Sequence, residues 1–172
     1  IETAANEWRK DQYTPVERLR VSKLDRLITF LCEKGGDELV EYVAQLIAPY
    51  LGSTKKFVEF MINFLPQPPD KRPAQHVQIP WNKKFMRDAF RTIYSYRSSA
   101  LHNGIPFPDP MCFGAMKMSK EAYDEKIWGA SSTKGGVWLE ADLPMNLHIF
   151  EYLVRNGLLN WWQSMANATQ SF

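Results

Sequence analysis

Along most of this chain the apolar residues recur every three or four positions, and prolines and glycines divide that pattern into segments. This is the pattern of amphipathic helices. The first dozen residues are polar and have no clear period. Thr14-Pro15 predicts a helix start, with proline just inside the first turn. Leu24, Leu27, Ile28 and Leu31 then follow at helical spacing. Gly35-Gly36 predicts a stop, and Asp37 suits the N-cap of a second helix. That helix would bury Leu39, Val43, Leu46, Ile47 and Tyr50 and end or kink at Pro49. Phe57, Phe60, Met61 and Phe64 predict a third, shorter helix. Five prolines between Pro66 and Pro80 predict a long loop.

The next helix is predicted from about Trp81 to Leu101. Phe85, Met86, Ala89, Phe90, Ile93, Tyr96, Ala100 and Leu101 share one broad apolar arc. Lys84, Arg87, Arg91 and Ser98 lie opposite, and Asn103-Gly104 supplies a helix end. Residues 105–145 read as irregular. Met111–Met118 and Gly136–Glu140 are candidates for two short pairing strands, and Ser131-Ser-Thr133 reads as loop. A last helix, from about Met145 to Met165, carries Leu147, Phe150, Val154, Leu158, Trp161 and Met165 as a core stripe. The fold class is therefore mainly α, a helical bundle with an irregular insertion. Residues 1–15 read as an N-terminal extension, 16–166 as one helical domain and 167–172 as a C-terminal tail.

Composition narrows the partners. An apolar fraction of 45% with ten Phe, seven Tyr and six Trp supports a real core. A net charge of +2 provides no global field, so any nucleic-acid site must be local. Cys32 and Cys112 are too few for a disulfide framework or a cysteine zinc site. No signal peptide and no bilayer-length apolar run is visible, which makes the cytoplasm the expected setting without membrane contact. The start at Ile1 rather than Met fits either an excised domain or a truncated chain, and leaves room for a partner domain outside it. Asn167-Ala-Thr169 matches a glycosylation sequon by chance in that setting.

The candidate chemistry lies in Tyr94-Ser-Tyr-Arg-Ser-Ser-Ala-Leu-His-Asn-Gly104. Arg97 provides a fixed cation with a planar fork matched to phosphate. His102 moves protons near neutral pH. Arg97 lies inside the edge of the apolar arc beside Phe90 and Ile93, an expensive place for an unsatisfied charge. The spacing alone is common, because roughly half of chains this long hold something close to it. An ion-paired surface arginine with a histidine at a helix C-terminus accounts for the bare string better. His76 reads as exposed, and His148 as a surface histidine on the flank of the last helix. Glu33, Asp37 and Glu38 read as helix-end residues and Trp161 as core. No metal-ligand spacing and no phosphate-binding glycine loop is present, so no cofactor or metal is expected.

The order Tyr94, Arg97, Ser98, His102, Gly104 resembles the motif of the HEPN superfamily, specifically its Apea-like group. In that group a helix ends in Tyr-x-x-Arg-Ser-x-x-x-His-Gly. Here Asn103 stands between the histidine and the glycine, and Ser98 replaces a commoner Asn or Asp. Tyr152-Leu-Val-Arg-Asn-Gly-Leu-Leu159 is similar to the group's closing helix. Gly104 occupies the place of the toxin branch's tyrosine, so that branch is not indicated. The resemblance spans about residues 16–165. It implies a metal-independent endoribonuclease, built as a homodimer around two copies of the motif, in stress response or phage defence. His102 would be the general acid or base. Arg97 would hold the phosphate, with Ser98, Tyr94 and Asn103 supporting and Lys84, Arg87 and Arg91 binding RNA. A catalytically silent HEPN-like module that binds RNA or protein, and a helical interaction domain with a chance motif, stand as alternatives.

Overall fold

The computed structural model describes residues 1–8, 13–114, 122–128, 131–133 and 136–169. Among these the fold is mainly α. The helices are α1 (Glu2–Trp8), α2 (Pro15–Val21), α3 (Asp25–Ile47), α4 (Ser53–Asn63), α5 (Lys83–Asn103), α6 (Asp109–Cys112) and α7 (Leu147–Thr169). One hairpin, β1 (Ser131–Thr133) with β2 (Gly136–Trp138), pairs antiparallel in the register Ser131↔Trp138, Ser132↔Val137, Thr133↔Gly136. The residues group into two compact units, 1–57 and 58–172.

In the first unit, α1 forms where no periodicity was visible. Its buried positions are Ala4 and Ala5, too small to register as an apolar stripe. Thr14 and Glu17 cap α2 reciprocally, with Pro15 in the first turn, as the sequence predicts. Leu19 of α2 is fully buried against Ala44 and Ala48. The expected stop at Gly35-Gly36 is a break inside α3: Gly36 adopts φ 67°, ψ −167°, open essentially to glycine alone. The stripe expected beyond it shifts. Leu46 and Tyr50 are 54% and 79% exposed, while Val40, Ala44 and Ala48 are buried. Small residues allow the close approach of α2, and the larger side chains flank the seam. Pro49 ends the helix as expected, in a short 3₁₀ turn over Ala48–Tyr50. The thiol of exposed Cys32 lies 3.7 Å from Asp37 Oδ1.

In the second unit, α5 and α7 form core helices that touch through Phe90 and Phe150, ring centroids 6.5 Å apart. Phe60 packs edge-on against Trp161 at 5.7 Å. The stripe of α7 is set by Ile149, Leu153 and Gly157. Leu147 and Met165, expected at its ends, are 41% and 38% exposed. Gly157 lets α7 approach the end of α4, since a Cβ there would already touch Phe64 O at 3.5 Å. The proline-rich loop carries one 3₁₀ turn, Gln75–Val77. It is tied down by Trp81 Nε1 donating to Pro66 O at 3.0 Å and Tyr152 Oη donating to Gln67 O at 3.1 Å.

The strand expected over Met111–Met118 does not form at its start. Pro110 lies in the first turn of α6, which reaches Cys112, while residues 115–118 lie outside the described residues. The strand that pairs with β2 is Ser131–Thr133, read from sequence as loop. No described helix is long and apolar enough to cross a membrane.

Candidate functional site

Asn82 caps the start of α5 by accepting from Phe85 N at 2.9 Å. Gly104, at φ 65°, closes it in the left-handed conformation and donates its N–H to Ser99 O. The helix thus runs unbroken through the motif. On a straight helix, Met86, Ala89, Phe90, Ile93 and Tyr94 share one face, and all five are buried. Arg97 continues that face one turn on and is half-buried. Leu101 follows one turn later and is 63% exposed. The core-facing side of α5 therefore runs past the end of the core in its last two turns. Ile105 and Phe113, just beyond, are 47% and 59% exposed.

The Arg97 guanidinium lies over the Tyr94 ring, 5.5 Å from its centroid. Tyr94 is buried, so it acts as a backing plate for the arginine. The opposite side of α5 carries Lys84, Arg87, Arg91, Ser98 and His102. All are exposed except half-buried Ser98. His102 falls in line with Lys84, eighteen residues and five turns away. Arg91 also pairs with Asp88 at 3.4 Å across one helical turn. Arg97 and His102 are about 140° apart around the axis and about 7.5 Å apart along it. One chain therefore gathers the basic residues with His102 and places Arg97 on the other side. Asn103 is exposed in the last turn beside His102.

Tyr96 fastens the motif helix to the irregular segment. Its phenol donates to Asp142 O at 2.6 Å, and its ring meets Trp138 and Phe107 edge-on at 5.7 and 6.1 Å. Burial, and then the charge of Asp142, push its ionisation upward.

Two polar groups passed over at the sequence level prove to be built into the fold. Glu125, 1% exposed, takes a bidentate pair from Arg72: Nε to Oε1 at 2.7 Å and a terminal nitrogen to Oε2 at 2.6 Å. It also accepts from Ile79 N at 2.9 Å, while Arg72 donates to Ile79 O and lies over Trp81. Buried Asn146 donates to Asp124 O and Lys126 O and fixes the same segment to the start of α7. The available signal was an arginine inside a proline-rich loop, where a buried acid was its natural partner. His148, expected at the surface, is half-buried against Tyr123, and its Nδ1 is sealed without a hydrogen bond among the described residues. Burial lowers its pKa, opposed by Glu125, Glu151 and Asp124. His76 is exposed, as expected, beside Trp128. Arg155 pairs with Glu151 at 2.5 Å on the surface of α7. Glu33, Asp37 and Glu38 are exposed, and no described cluster of His, Cys, Asp or Glu is placed to hold a metal ion.

Neither a family model, nor a curated protein, nor a solved structure matches this chain.

Proposed function

We propose that the chain is a metal-independent endoribonuclease that works as a homodimer, with the last turns of α5 from two copies forming one cleft. The observation that carries this reading is the run-off of the α5 core face: Arg97 is half-buried, Leu101 one turn on is exposed, and so are Ile105 and Phe113 later in the chain. Exposed apolar side chains following a phosphate-binding cation along the chain suit a surface that a second copy covers. A two-fold axis there overcomes the 140° divergence, because Arg97 of one copy can face His102 of the other. His102 transfers the proton of the 2′-hydroxyl or of the leaving oxygen. Arg97, placed over the Tyr94 ring, binds the phosphate and stabilises charge as it develops. Ser98 and Asn103 lie within a turn of His102, where they orient it or the phosphate. Lys84, Arg87 and Arg91 form a track along which an RNA backbone reaches the histidine.

The test is cleavage of single-stranded RNA in the presence of chelator, beside the same sequence as DNA. The expected result is cutting of RNA alone, with cyclic phosphate ends or their hydrolysis product. Cutting of DNA at a similar rate, or dependence on a divalent ion, overturns the mechanism. RNA binding without cutting, unchanged by Arg97→Ala or His102→Ala, identifies a silent module instead.

A further inference from the structure

The second half of α3 is apolar on two faces. On one, Val40, Ala44 and Ala48 are buried, and Leu19 of α2 packs with Ala44 and Ala48. Tyr42 and Leu46 each stand two residues from Ala44, about 160° round a straight helix from it. They are 62% and 54% exposed, and Tyr50, in the 3₁₀ turn that follows, is 79% exposed. Spaced by four residues, the three make one apolar row about 12 Å long, with half-buried Leu39 and Val43 beside it. A helix that is apolar on both sides suits a place between two packed surfaces. On the other edge of the row, Glu38 and Glu41 are exposed and make no ion pair among the described residues. Residues 37–50 contain no Lys or Arg.

From this arrangement we propose that the row is a docking surface for an amphipathic helix of another protein, one that carries Lys or Arg along one edge of its apolar face. The helix follows from geometry. A helical backbone has no free N–H or C=O groups to offer an added strand, and a row of side chains spaced by four packs into the groove of a second helix. The basic edge follows from charge, since carboxylates border the row on one side only. A second copy of this face brings carboxylates and no cation, and an anionic membrane surface repels the same edge. The row lies in the first unit, does not draw on Arg97 or His102, and stands whether or not the chain cleaves RNA.

Two designed helical peptides test this by fluorescence anisotropy. Both carry leucine at helical spacing on one face, flanked by lysine in one peptide and by glutamate in the other. The lysine peptide should bind with an affinity that weakens as salt rises, and the glutamate peptide at least about tenfold more weakly. Tyr42→Ala with Leu46→Ala should weaken the lysine peptide at least about tenfold, as loss of interface anchors does, with the circular dichroism unchanged because both side chains are exposed. Glu38→Lys with Glu41→Lys should reverse the preference between the peptides, which keeps the test decisive if the apolar variant misfolds. Leu101→Lys should bind the lysine peptide as wild type does. The proposal is overturned if the lysine peptide does not bind at millimolar concentration, if the glutamate peptide binds equally well, or if neither pair of substitutions changes the affinity. It is also overturned if the apolar variant sediments as a smaller species than wild type, which makes a second copy the occupant. Binding to vesicles of phosphatidylserine and phosphatidylcholine that is lost in the apolar variant overturns it in favour of a membrane.

Discussion

A guanidinium over a phenol ring gains a cation–π contact that fixes where its charge sits. Tyr94 gives this to Arg97, whose guanidinium carbon lies 5.5 Å from the ring centroid. Arg97→Lys therefore keeps the charge but loses both the stacking and the two-pronged fork, and should recover only a small part of the activity lost in Arg97→Ala. His102→Ala should cost roughly 10²–10⁴ in cleavage rate with unchanged RNA affinity, as loss of proton transfer does. Single-turnover kinetics beside filter binding separates the two effects. His148 makes the opposite kind of prediction. Burial lowers its folded-state pKa, so the folded protein prefers the neutral ring. Its contribution is intact above the unfolded value of about 6.5 and is lost as pH falls through that value toward the lowered one. Denaturant midpoints from pH 7.5 to 5 should fall more steeply for wild type than for His148→Gln. Equal slopes would show that the ring is not sealed.

At the scale of elements, the break in α3 and the Arg72–Glu125 tie dominate. Gly36→Ala forces a side chain into φ 67°, ψ −167° and should destabilise by about 1–3 kcal/mol, read by chemical denaturation. Glu125→Ala strands the Arg72 cation and the Ile79 N–H and should cost about 3–5 kcal/mol, the usual consequence of breaking a buried pair. A loss below about 1 kcal/mol would mean that water replaces the carboxylate. These elements also show what the sequence carries openly. Helix starts at Thr14-Pro15 and stops at Gly35-Gly36, Pro49 and Gly104 are local events decided by one or two residues, and they were legible. The buried face of α3 was not, because helix packing selected Ala44 and Ala48 over the larger Leu46 and Tyr50. Likewise Arg72 and Glu125 are 53 positions apart, and no local pattern links them. In the motif, the order of Tyr94, Arg97 and His102 was visible. That the core ends between Tyr94 and Leu101 is a tertiary fact.

For the whole molecule, the homodimer is the decisive expectation. Sedimentation should show a dimer, and Leu101→Lys, on an exposed side chain, should shift it to monomer and abolish cleavage while leaving the circular dichroism unchanged. Mixing inactive Arg97→Ala with inactive His102→Ala should restore cutting, because the mixed dimer contains one Arg97 facing one His102. A mixture as inactive as its parts would place both residues of a working site on the same copy.

The two free thiols bear on this in another way. Cys32 lies in the first unit and Cys112 in the second, both exposed. The chain therefore carries one natural attachment point per unit, and a fluorophore pair needs no cysteine to be introduced. Partial desolvation of its sulfur, and then the Asp109 carboxylate, raise the Cys112 thiol pKa. With less thiolate at neutral pH, Cys112 should label more slowly than an ordinary exposed cysteine and speed up on mild alkalinisation. A donor added near neutrality and an acceptor added at higher pH would mark the two units in turn. Energy transfer between them would then report, in solution and during RNA binding, whether the units move.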